Sequence, residues 1–294
     1  MFDATILVDR AGALPDVDAQ AFAALVTTRS AAPKPWVSVA PGRLEAQLHS
    51  AATNAAAAPV AAAVLARLLR LGEKLSFEAT LELESLAYST LLGSAEFRRW
   101  RATAKAGLNI PTVPEPVRYE RADDDVTLVL ASPGNHNAMT ATMRDALFHG
   151  LSAVVDDPSR PRLVLRGEGK CFSTGGHLPE FGSAPDMAQA HVVRVLRSSA
   201  MLLHRLGDRA EARLHGACIG SGIEVPAAAA HRIAAPDTII QLPELGMGLI
   251  PGAGGTVTLT RAIGRHRLFW LALGGFRVGA SQALDWGLFH RVEP

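Results

Sequence analysis

The sequence predicts an α/β protein whose strands and helices alternate through its C-terminal part, preceded by a helical segment. Three observations carry this reading. From Val117 to Pro294, short apolar runs alternate with helix-length segments. Three glycine-rich stretches in that region each follow an apolar run. Ahead of it, residues 43–106 show apolar positions at helical spacing.

Taken in chain order, residues 1–42 are poorly defined. Thr5 to Val8 and Trp36 to Val39 have strand character, but prolines 15, 33, 35 and 41 interrupt the segment. Residues 43–106 read as helices, with Val60, Val64, Leu65, Leu68 and Leu69, then Leu81, Leu83, Leu86 and Ala87, as the apolar positions. Gly72 and Gly93 punctuate them, and Ser94 is the expected N-cap of a last helix carrying Phe97 and Trp100. Residues 107–116, with Gly107, Pro111, Pro114 and Pro116, form the best linker.

Beyond the linker, Val126 to Leu130 is a strand, 140–155 a helix, and Leu163 to Leu165 a second strand running into the glycine-rich stretch Arg166–Gly182. Met187 to Leu206 reads as one long helix. Ala212 to Leu214 leads into Gly216–Gly222 and an Ala-rich helix from Glu224. Arg232 to Ala235 and Thr238 to Gln241 are short strands, and a last glycine loop precedes a helix over 255–263.

Hydrophobic residues make up 48% of the 294, which suffices for a large core. A formal net charge of +1 gives no field pointing to nucleic acid or an anionic membrane surface. The two cysteines, Cys171 and Cys218, form no CxxC pair and lie in apolar segments, so a reducing cytoplasmic setting is expected. The longest apolar run, Ala55 to Ala66, is too short to span a bilayer. No metal-ligand spacing is visible among the histidines.

The chemistry lies in the three glycine-rich stretches: Gly169 to Glu180, His215 to Glu224, and Leu242 to Gly255. Glycine turns let a ligand approach main-chain N–H groups, and those at a helix start favour negative charge. Singly, each is most simply a tight connection. None fits a nucleotide-phosphate motif. Glu224 and Glu244 are 20 residues apart, at the end of the second stretch and inside the third. Taken alone, the first suits a helix N-terminus and the second a surface loop.

Together, and in this order, the three stretches resemble the crotonase, or enoyl-CoA hydratase/isomerase, superfamily. Asn137-Ala138-Met139 matches the family's early Asn-Ala-hydrophobe step, and Gly279 to Leu288 its late helix-and-turn segment. The resemblance implies a ββα-spiral core over 117–294 that binds an acyl-CoA thioester, with coenzyme A as part of the substrate and no separate cofactor. It implies an oxyanion hole from the N–H groups of Gly176 and Ser221, where each preorganised donor is worth ~3–4 kcal/mol. It implies that Glu224 deprotonates a water for attack at C3 and Glu244 protonates C2, the chemistry of an enoyl-CoA hydratase. Thr174, Gly175, His177 and Leu178 of the first stretch, and Gly220, Pro243 and Gly252 of the others, would line the substrate. The assembly implied is a homotrimer or dimer of trimers.

Isomerase, thioester hydrolase and dioxygenase chemistries of the superfamily, and a non-catalytic acyl-CoA-binding relic, are the alternatives. Retention of both glutamates favours hydration. Three positions depart from the family pattern: His177 and Ala230 stand where members commonly have Asp, and Pro226 follows Glu224 by two. Arg98, Arg99, Arg101 and Lys105 form a basic run that is either a solvated helix face or a contact for CoA phosphates. Family members continue into a helical tail that packs on the core. The expectation is that residues 43–106 are that tail moved to the front, packing near 186–206 and 255–273; an unrelated helical extension is the plainer reading.

Overall fold

The computed structural model describes residues 4–103 and 113–293. Lys105 and most of the expected linker lie outside the described residues.

Residues 4–40 form a small parallel sheet, β1 (Ile6–Asp9), β2 (Ala24–Thr27) and β3 (Val37–Ser38), in the order β1-β2-β3. β2 has no counterpart in the sequence expectation, although all four of its residues are buried. Four helices follow: α1 (Pro41–Ala57), α2 (Pro59–Gly72), α3 (Phe77–Leu92) and α4 (Ala95–Thr103). Pro59 cannot continue α1 because it lacks an N–H, and the chain bends by 105° between α1 and α2. Ser76 Oγ accepts from Ala79 N to cap α3, and Ser94 Oγ accepts from Phe97 N at the start of α4, as expected of Ser94.

The inward stripe of α3 differs from the expected one. Phe77, Thr80, Leu81, Glu84, Ser85 and Leu91 are buried, whereas Leu86 is 48% exposed. Val60 at the start of α2 is likewise exposed. A leucine-rich segment offers more than one apolar stripe, and here packing selects the one that carries a glutamate.

The larger sheet is built from β4 (Val117–Ala122), β5 (Asp125–Leu130), β6 (Arg162–Gly167), β7 (Ala210–Leu214), β9 (His231–Ala234) and β12 (Arg291–Val292), in the order β12-β9-β7-β6-β5-β4. All its pairings are parallel except the β4–β5 hairpin. Parallel pairing requires crossovers. They run through α5 (Ala141–Asp156), then α6 (Met187–Leu196) and α7 (Ser199–Leu206). The single helix expected over Met187–Leu206 is thus two, because Ser198 turns its side chain to cap the second by accepting from Met201 N.

A third sheet, β11-β10-β8, joins β8 (Ala217–Ile219), β10 (Ile239–Gln241) and β11 (Val278–Gly279). Helix α8 (Ser221–Glu224) is a single turn, followed by a 3-10 turn over Pro226–Ala228. The expected Ala-rich helix from Glu224 does not form. Pro226 has no N–H to donate and its ring crowds the preceding turn, so Glu224 ends this helix rather than opening one. Helices α9 (Gly255–Ile263), α10 (Arg265–Gly274) and α11 (Ala280–Asp285) complete the chain.

The N-terminal helices share the core's interior. Ala61, Leu65 and Leu69 of α2 join one buried cluster with Leu259 of α9 and Leu268 and Leu271 of α10. Helix α3 packs against α6 and α9, and α1 against α10. Buried Arg265 donates to the carbonyls of Ala19 and Phe22, and buried Arg267 to those of Ala32 and Trp36, tying the small sheet to α10. Phe97 is buried, its ring against Gly182, and Trp100 is only partly buried, tilted against the rings of Phe97 and Phe181.

Candidate active site

The first loop is clamped by Asn137, a buried residue in left-handed conformation. Its Oδ1 accepts from Ser132 N, and its Nδ2 donates to the carbonyls of Glu168 and Cys171. Ser173 Oγ donates to Asn137 O, and Met139 N donates to Gly175 O at 2.8 Å. The Asn-Ala-Met step thereby fixes the main chain at Gly175 and Gly176.

The second loop runs alongside the first. Ser173 N donates to Ala217 O, and Ile219 N donates to Ser173 O. At Gly175, with φ of +83°, a Cβ would stand 2.3 Å from Ile219 O and 3.5 Å from Ser221 N. Only glycine tolerates that approach, and it brings the Gly175–Gly176 strand beside the start of α8. Gly220 takes the positive φ that precedes the helix, so Ser221 itself is helical and a side chain there costs nothing. As the first helical residue, Ser221 has an N–H with no carbonyl behind it in the helix. Its Oγ is buried without a hydrogen-bond partner among the described residues.

Both glutamates are buried and face this turn. A Cβ on Gly220 would lie 2.6 Å from Glu244 Oε1 and 3.9 Å from Glu224 Oε1. Glu224 Oε2 accepts from Ala253 N (2.7 Å) and Gly255 N (3.0 Å) of the third loop. Glu244 begins a 3-10 turn directly after Pro243, and its Oε2 is buried without a hydrogen-bond partner among the described residues. Burial lifts both carboxyls above the ordinary range, with Glu244 reaching about 8; the charges of Glu244 and Glu84 lift Glu224 further. The pair therefore holds a proton at neutral pH. The two N–H donors on Glu224 pull its carboxyl down, against the burial and neighbouring charges that raise it.

The remaining expected residues divide in two. Gly220 and Gly252 line the carboxylate side; a Cβ on Gly252 would strike the Tyr88 ring at 2.4 Å. Thr174, His177 and Leu178 lie on the outer side of the first loop. Thr174 N and Oγ1 donate to His136 O. Leu178 is exposed, and its carbonyl accepts from Arg101. His177 lines a cleft of about 200 Å³ with Glu180, Thr140, Thr142, Ser132 and Asn135. Of the basic run, Arg98 donates to Gly93 O, Arg99 to Ala57 O, and Arg101 to Pro179 O. These three serve helix ends and the first loop.

Two neighbours of the carboxylates have no place in the sequence expectation. Glu84 and Tyr88, both on α3, come from the N-terminal segment. Glu84 is 2% exposed and accepts from Gly254 N, Thr256 N and Thr256 Oγ1 at 2.6–2.8 Å. Burial raises it to about 7 against the pull of those bonds and of Arg194. Burial also raises Tyr88, and Glu224 and Glu244 add to that. The signal was present in the spacing: Glu84 stands three residues after Leu81 and seven after Phe77, within the buried stripe.

A parallel sheet with glycine loops converging on buried carboxylates defines the crotonase fold, and solved structures agree. An enoyl-CoA hydratase from Thermoplasma volcanium GSS1 is 32% identical with a TM-score of 0.55, over 61% of this chain and 72% of that one. An enoyl-CoA hydratase from Bacillus anthracis is 28% identical with a TM-score of 0.55, over 61% of this chain and 70% of that one. The family model for enoyl-CoA hydratase/isomerase matches residues 125–294, and the chain belongs to that family. Enoyl-CoA isomerase/hydratase fer4 of Mycosarcoma maydis is 34% identical over 180 residues, 57% of this chain and 64% of the relative. A probable enoyl-CoA hydratase of Bacillus subtilis (strain 168) is 32% identical over 155 residues, 52% of this chain and 59% of the relative. The chain thus spans about three fifths of the length of these curated relatives. Glu84 and Tyr88 precede the segment that the family model matches.

Proposed function

We propose that the protein hydrates a 2-enoyl-CoA thioester, a lyase reaction needing no cofactor beyond the coenzyme A of its substrate. The observation that carries this reading is the pair Glu224 and Glu244, buried and facing one main-chain turn beside Ser221. Glu224 takes a proton from water as its oxygen bonds to C3, and the C2–C3 electron pair moves toward the thioester carbonyl. The N–H groups of Gly176 and Ser221 stabilise the oxyanion that forms there. Glu244 then delivers its proton to C2, leaving the sum of one water added. Isomerisation requires only one group to carry a proton between carbons, whereas water addition uses a base and an acid, and the presence of two buried carboxyls supports the latter. A homotrimeric or hexameric cytoplasmic enzyme is part of the same proposal.

The test is turnover of a panel of 2-enoyl-CoA thioesters, followed by loss of the conjugated-thioester absorbance. Hydration of at least one chain length is expected. Shift of a 3-enoyl double bond with no water addition would replace this reading by isomerisation.

A further inference from the structure

Four successive residues in the third loop direct their N–H groups alternately to two carboxylates. Ala253 and Gly255 donate to Glu224 Oε2, while Gly254 and Thr256 donate to Glu84. Thr256 Oγ1 adds a third bond to Glu84 at 2.6 Å. These groups are the unpaired donors at the start of α9, so one helix end is shared between two buried acids. Gly254 has φ of +105°, the left-handed conformation that alternation of the donors needs. Glu224 is also fastened from the far side, where Thr258 Oγ1 donates to its carbonyl.

We infer that Glu84 is a positioning residue of the active site: it holds the 253–256 main chain so that Ala253 and Gly255 present their N–H groups to Glu224, and its negative charge helps keep the proton on the glutamate pair. The inference rests on Glu224 and Glu244 being that acid–base pair. It goes beyond the family resemblance because Glu84 precedes the matched segment. The charged groups facing Glu84 are Glu224 on α8, Glu244 in its 3-10 turn and Arg194 on α6, with Tyr88 one turn further along α3. His191 of α6 bonds Ser85, the residue next to Glu84. Arg194 is held back from a direct ion pair by its own bonds to Ser85 Oγ and Ser89 Oγ. With its own carboxyl raised to about 7, Glu84 is ionised over the range in which Glu244, at about 8, gives up its proton.

The experiment compares full-length wild type with Glu84→Gln by a carboxyl ¹³C NMR titration, the Glu244 signal being assigned by its absence in Glu244→Gln. Removing the Glu84 charge should lower the Glu244 midpoint by about one pH unit. The alkaline limb of kcat/KM should move down with it, and kcat should fall more than KM changes. A residue with only a structural role would reduce activity and leave the midpoint and the limb in place; that result overturns the inference. Thr256→Val is the gentler variant. It removes one bond to Glu84, raises the Glu84 pKa, and should give a smaller shift of the same sign. If Glu84→Gln does not fold, an unshifted Glu244 midpoint in Thr256→Val is the overturning result. Absence of enoyl-CoA turnover by wild type would sink the proposed reaction, while the NMR midpoints would still decide the role of Glu84.

Discussion

Replacing Glu244 by Gln should remove a loss of stability between pH 5.5 and 8 while lowering activity. The side chain is buried, its Oε2 has no hydrogen-bond partner, and its pKa stands near 8 against an ordinary 4.5. Between those values the native state keeps a proton that the unfolded chain has released. Stability therefore falls as pH rises through that window. From pH 5.5 to 8 the loss attributable to this group is about 2–3 kcal/mol, at roughly 1.4 kcal/mol per pH unit. Gln does not titrate, so the variant lacks this slope. Its amide leaves a buried polar group unsatisfied, at a cost of about 1–3 kcal/mol, but that cost is the same at both pH values. Urea unfolding of both proteins at pH 5.5 and 8 gives the four free energies needed. The variant's stability relative to wild type should improve by about 2 kcal/mol or more between the two pH values. A difference that does not change with pH would refute the burial argument for Glu244, whatever the protein catalyses.

Glu224→Gln and Glu244→Gln should each lower steady-state hydration by ~10²-fold or more while the far-ultraviolet dichroism is unchanged; near-normal turnover by either variant would rule out the two-glutamate mechanism. Gly175→Ala should cost about 2–4 kcal/mol in a thermal or urea melt, since it adds a Cβ against the Ile219 carbonyl at positive φ. Unaltered stability would mean that the two loops are not in contact. Deleting residues 1–106 strips α2 and α3 from α9 and α10, so the 107–294 fragment should be insoluble on expression; a soluble, active fragment would end the idea that these helices replace the family's tail. Light scattering on the full chain should give a trimer or hexamer, and a fully active monomer would count against that assembly.

The core site was legible because its parts are contiguous in sequence. Asn137, Gly175, Gly176, Gly220 and Glu224 sit in short motifs whose glycines are required by main-chain approach, and the structure brings those motifs together. Glu84 was hidden for the opposite reason. Its segment reads Leu-Glu-Leu-Glu-Ser-Leu, where alternating apolar residues allow several helical faces, and only contact with α9 selects the one that buries Glu84. The end of α8 at Glu224 depends on Pro226 and was misread as a helix start. The division of 187–206 into two helices depends on the Ser198 cap, a side chain whose choice between solvent and the main chain is settled by packing. Strand β2 is hard to read because Ala21–Val26 is a short continuous apolar run, which does not by itself tell strand from helix.

One helix end is shared unequally among three buried acids. Glu84 receives three hydrogen bonds, Glu224 Oε2 receives two, and Glu244 Oε2 receives none. All three are buried, so desolvation pushes each the same way. They differ in access to the N-terminus of α9, whose unpaired N–H groups carry partial positive charge. The loop gives that charge to Glu84 and Glu224 and withholds it from Glu244. At Glu224, burial and the two neighbouring acids outweigh the two donors, and its carboxyl stays raised. The N-terminal helix α3 takes part in the site because it supplies one of the two carboxyls that use that helix end.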